Sequence, residues 1–174
     1  MRNLKFIIIC LLACISVMPD AAAKKYKWSY GSHALEVYTT GQGAGRTQLV
    51  KAWAVAKNAD KAIEQAKMDA VTAALFTGIP FDARTHGMGV SNLQPLVKEE
   101  QYREYQTLFD DFFKKGDFMQ FVRDVNSAYP SGENNVSVSG GRRVGVNLVV
   151  DYPGLRHWLE QNGITRGLGG HFRN

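Results

Sequence analysis

The chain holds only two cysteines, Cys10 and Cys14, and both precede Lys24. From Lys24 onward, disulfide scaffolds, thiolate metal sites and cysteine nucleophiles are therefore excluded. Long apolar runs are also scarce. Phe6 to Met18 is nearly all apolar, yet it is shorter than the roughly 20 residues a spanning helix needs. No later segment approaches even that length. Charge of one sign is in modest excess, with a net charge of +5. That falls short of the footprint expected of a nucleic-acid-binding protein.

What is present begins with an export pattern. Arg2 and Lys5 form a positive start, the apolar run follows, and Ala21-Ala22-Ala23 offers a small-x-small cleavage site before Lys24. Residues 1–23 therefore read as a signal peptide, and the chain as exported to the periplasm or secreted. Cleavage removes two positive charges and one negative, taking +5 to +4. A mild basic excess favours solubility and anionic envelope polymers. Cys14 supplies an alternative. Leu11-Leu12-Ala13-Cys14 resembles a bacterial lipobox, whose cysteine is lipidated and becomes the N-terminus. The apolar run continues past Cys14 through Ile15, Val17 and Met18, where a polar tether would be expected. This favours ordinary cleavage. Lipidated Cys14, on an outer-membrane lipoprotein, is the alternative and the only route to the membrane.

The remainder suits one domain with its own core. Residues 24–47 read as an N-terminal segment and glycine-rich turn, 48–163 as the domain, and 164–174 as a flexible tail. KKYKWSY, residues 24–30, reads as a tether or edge segment, and Ala34 to Tyr38 as a short strand. In QLVKAWAVA, residues 48–56, alternation places Leu49, Lys51, Trp53 and Val55 on one side. Val50 and the small residues Ala52, Ala54 and Ala56 take the other. A helix capped by Asn58 or Asp60 runs to about Phe76, with Gly78 at its end. Ala59, Ile63, Ala66, Ala70 and Ala73 share one face, which permits close approach to a sheet.

Residues 79–95 read as a loop. A helix from about Lys98 to Gly116 carries Tyr102, Tyr105, Phe109 and Phe112 on one face. A second, capped by Asp117, carries Phe118, Phe121, Val122 and Val125. Gly140-Gly141 marks a hairpin, and Val144, Val146, Leu148 and Val150 alternate along its second strand. Asp151 and Pro153 open a last helix. These elements predict an α+β fold, with helices on one face of a small, mainly antiparallel sheet.

Catalytic patterns fail one after another. GQGAGRT, residues 41–47, lacks phosphate-loop spacing and leads into a strand rather than a helix. The histidines His33, His86, His157 and His171 form no close cluster, so neither a metal nor another cofactor is expected. No G-x-S-x-G occurs. Asp110-Asp111 and Glu99-Glu100 lie on the wet face of a helix. Candidate binding residues are Trp28 and Tyr30 as interface anchors, and Arg46, Arg84 and Arg142 as an anion-binding set. Arg84 and His86 mark the 79–95 loop as the place for an unrecognised site.

LVKAWAVAKNADKAIEQAKMDAVTAALFTGIP, residues 49–80, resembles the LPP20-like and flagellar-assembly T N-terminal group of bacterial envelope domains. RRVGVNLVVDYPGLRHWLEQNGI, residues 142–164, fits that group's closing strand and helix. The resemblance implies a non-enzymatic envelope role in assembly or binding, and it brings no catalytic residues. The partner expected is an envelope protein or an anionic envelope polymer. The alternative is a small periplasmic ligand binder or enzyme.

Overall fold

A computed structural model describes residues 25–81 and 92–165. Five strands and four α-helices follow one another along it: β1 (Glu36–Gln42), β2 (Gln48–Ala56), α1 (Ala59–Thr72), α2 (Glu99–Glu104), α3 (Gln106–Lys115), β3 (Val122–Asp124), β4 (Asn135–Val138), β5 (Gly141–Val150) and α4 (Tyr152–Gln161). The sheet order is β1-β2-β5-β3, with β4 pairing the other half of the β5 edge. All strand pairs are antiparallel. The fold is α+β, as the sequence predicts.

Register follows the side-chain alternation. Val50, Ala52 and Ala54 face Leu148, Val146 and Val144 across β2 and β5, and all six are buried. This small-residue floor receives α1, whose Ala62, Ala66 and Ala70 are fully buried. Alanine on both surfaces lets helix and sheet approach closely. The stripe is centred one position away from Ala59 and Ile63, which lie at its half-buried margin. Asn58 caps α1, its side chain accepting from the Lys61 N–H at 2.9 Å. One π-helical turn, Ala73–Thr77, closes it.

Two helical expectations are corrected. The helix before Gly116 is broken at Tyr105, whose backbone leaves helical geometry. The break divides the aromatic face. Tyr102 reaches Trp28 and Tyr30, while Phe109 and Phe112 meet Trp158. Beyond Gly116, Asp117–Phe121 forms only a 3-10 turn before β3. The edge of β5 at Leu148–Val150 is open there, and Val122–Asp124 pairs with it. Val125, expected inward, is exposed. Backbone pairing to an open edge outweighs the weak helical period of this segment.

Residues 25–35 form a strap rather than a tether. Tyr26 N–H donates to the Lys114 carbonyl at 3.0 Å. The Trp28 indole stacks on Phe113, with ring centroids 4.3 Å apart and planes 8° apart. Its Nε1–H donates to Thr72 Oγ1 at 3.2 Å. Tyr30 stacks on Tyr102 at 4.0 Å. The strap then enters β1, which pairs with β2. At the other end, Ile164 is buried and its N–H donates to the Leu159 carbonyl.

Candidate functional site

The strap does not lie flat along its length. Between residues 27–35 and the C-terminal half of α1 it leaves a groove of about 390 Å³. Trp28, Tyr30, Leu35, Met68 and Phe76 give this groove apolar walls, and Asp69, His33, Gln65 and Thr72 give it polar points. The mix of apolar walls with a few convergent polar groups is typical of ligand seats.

Asp69 is the unusual member. It lies on the alanine-rich face of α1, three residues after Ala66, and is only 2% exposed. Its Oδ1 meets His33 Nε2 at 3.0 Å and accepts from Gln65 Nε2–H at 2.7 Å. Both interactions fall on that one oxygen. Among the described residues the hydrogen bonds to Asp69 fall on Oδ1 and none on Oδ2, and Asp69 borders both this groove and a second one. The second groove, of about 430 Å³, is walled by Glu36, Trp53 and Arg143. On its wall Arg143 stands over the Trp53 ring at 4.1 Å and pairs with Glu36 at 2.7 Å.

Burial pushes the Asp69 carboxyl above its ordinary range, and hydrogen bonds from His33 and Gln65 pull partly the other way. The sign for stability follows. Between the unfolded value and the raised folded value, the native state binds more protons than the unfolded state. Asp69 therefore withdraws stability as pH rises through that window. Asp69→Asn keeps an acceptor for both donors and removes the titration. Its stability relative to wild type is expected to improve from about pH 4 upward and then level off. Urea midpoints of both proteins between pH 4 and 7 test this; a constant difference would mean that Asp69 is not desolvated.

His33 also touches Ser32, with Oγ and Nδ1 2.9 Å apart. With Nε2–H donating to Asp69, Nδ1 is left to accept from the serine hydroxyl. Hydroxyl, imidazole and carboxylate thus stand in the chain order that activates serine nucleophiles. The serine, however, is the histidine's neighbour in sequence and stands on an exposed turn, with no strand-to-helix elbow.

The structure redistributes the residues singled out from sequence. Trp28 and Tyr30 both border the groove; Trp28 packs against the core, while Tyr30 is exposed and stacks on Tyr102. Arg46 and Arg142 do not come together. Arg46 sits in the β1–β2 turn beyond Gln48, whereas Arg142 pairs level with Ala56 at the far end of β2. Roughly 25 Å of strand separates them. Arg142 is further engaged with Asn135 and Ser137. The anion-binding set is therefore not assembled from these two. Arg84, His86 and Cys14 lie outside the described residues. Among the described residues no three metal-ligating side chains converge.

Sequence analysis named His33 only as one of four unclustered histidines, and it passed over Gln65 and Asp69. One signal was available, namely a lone carboxylate within an alanine stripe. His33 carried none, because its partner lies 36 positions away. Compared with protein-family models, with curated proteins and with solved structures, the chain matches none.

Proposed function

We propose that this protein is a non-catalytic binding module of the bacterial envelope, exported by residues 1–23, whose ligand seat is the groove between the strap and α1. The observation that carries this is Asp69. A carboxylate desolvated on the wall of a groove reduces stability, and groups perturbed in this way cluster at functional sites. The pattern of residues 1–23 supports export. The likeness of residues 49–80 to LPP20-like and flagellar-assembly domains supports an assembly or binding role in the envelope.

Amide chemical-shift mapping of the mature chain with small amphiphilic probes, such as 2-phenylethanol, tests the seat. Shifts are expected over 27–35 and 65–77. Shifts confined to the outer sheet face around Trp53, or none at all, would contradict it. The intact mass of protein taken from its own envelope tests export. A chain beginning at Lys24 is expected, and one beginning at acylated Cys14 would place the module on a membrane.

The Ser32–His33–Asp69 chain favours a second reading, a small hydrolase. Turnover of 4-nitrophenyl acetate that disappears in Ser32→Ala would establish it. The binding reading expects the same background rate from both proteins.

A further inference from the structure

The geometry points to a primary ammonium, or an equivalent cationic N–H group carried on an apolar body, as the ligand class of this groove, with Asp69 Oδ2 as its acceptor. This rests on the groove being a binding seat, and it specifies what the seat selects. Oδ1 is saturated by His33 and Gln65, which fixes the carboxylate's orientation. Oδ2 is then the acceptor left over, on a side chain only 4% exposed. A largely desolvated carboxylate on a groove wall rewards a charged donor more than a neutral one, because charge-assisted hydrogen bonds are about twice as strong.

The surroundings agree in sign. Of the three side chains that meet here, Asp69 is the one that brings an acidic group, and Gln65 brings no charge. Lys27 lines the other end of the groove. A cationic head is drawn to the Asp69 end and repelled from the Lys27 end, which orients the ligand along the groove. Trp28, Tyr30 and Phe76 then receive the apolar body. Aromatic faces are also favourable neighbours for a cation.

Three probes of nearly one shape test the idea: 2-phenylethylamine, 2-phenylethanol and phenylacetate, titrated into the mature protein at pH 7 and followed by amide shifts. The amine is expected to bind on the order of tenfold more tightly than the alcohol, and the carboxylate more weakly than either. In Asp69→Asn, which still accepts from His33 and Gln65, the amine should lose its advantage and bind no more tightly than the alcohol does to the same variant. Equal binding of all three probes in the wild type would overturn the ammonium assignment while leaving the groove as a seat. An amine preference that survives Asp69→Asn would overturn it as well. Binding by none of them would overturn the seat itself. Should Asp69→Asn not fold, the side-chain carboxyl ¹³C resonance of Asp69 in the wild type gives the answer. It is expected to move with the amine and not with the alcohol, and a resonance unmoved by the amine refutes the assignment.

Discussion

Trp28→Ala is expected to cost about 3–4 kcal/mol of stability, a large part of what a domain of this size possesses. The side chain is half-buried and stacks flat on Phe113. It also approaches Tyr102 and Phe76 edge-on or tilted. Truncation removes this apolar contact and leaves a cavity against α3. The Thr72 hydroxyl is not orphaned, because it also donates to the Met68 carbonyl at 2.8 Å. Most of the loss is therefore packing. Trp28→Phe keeps the stack and loses the indole N–H, so it should cost only about 1 kcal/mol. Urea unfolding of the two variants separates the terms. A loss below about 1 kcal/mol for Trp28→Ala would return residues 25–35 to the status of a tether and leave the groove without a wall.

Gly78→Ala should cost about 3 kcal/mol, by a different mechanism. Gly78 has φ +76° and ψ 171°, a region that side chains other than glycine's rarely occupy, at about 1–3 kcal/mol. A Cβ there would meet the Leu93 carbonyl oxygen at 2.5 Å. That oxygen cannot easily retreat, because it accepts from Ile79 N–H, and Leu93 N–H donates back to Ile79, both at 2.9 Å. The substitution therefore adds strain and pulls apart a backbone pair that holds the buried Ile79. Gly31→Ala is the control. Gly31 also has positive φ, but no atom lies within 4 Å of its Cβ position. It should cost only about 1 kcal/mol. Equal losses from the two would show that backbone conformation alone, and not the Leu93 contact, sets the effect.

How much was legible in the sequence depends on how local the cause was. β2, α1, β5 and α4 were readable because their periodicity and caps lie within their own residues. Asn58 and Asp151 both cap as the sequence suggests, and the small face of β2 meets the alanines of α1. The failures share a different cause. Val122 joins a strand because an edge lies open 26 to 28 residues later in the chain, at Leu148–Val150. KKYKWSY resembles a polar tether until Phe113, Tyr102 and Phe76 are brought beneath its aromatics. Nothing within residues 98–116 announces the break at Tyr105. Arg46 and Arg142 were grouped by chemistry alone, and the length of β2 separates them. His33 and Asp69 meet only because β1 leads the strap across α1, which no local pattern encodes.

The groove is also built from residues that form no recognisable sequence motif. Its polar residues come from a turn and from one face of a helix, without a glycine-rich loop or a ligand cluster. On the proposed reading, such a groove selects by shape and by one placed charge.

The most direct measurement is site-specific photo-crosslinking in intact cells that produce the protein. One photoreactive residue is placed at Ser29, on the groove rim, and others at Arg46, in the β1–β2 turn, and Val136, on β4, both exposed. Adduct formation is predicted at Ser29 and not at Arg46 or Val136, with competition by an added primary amine. Adducts confined to Arg46 or Val136, with Ser29 silent, would contradict the account and move the binding surface to the other ends of the sheet.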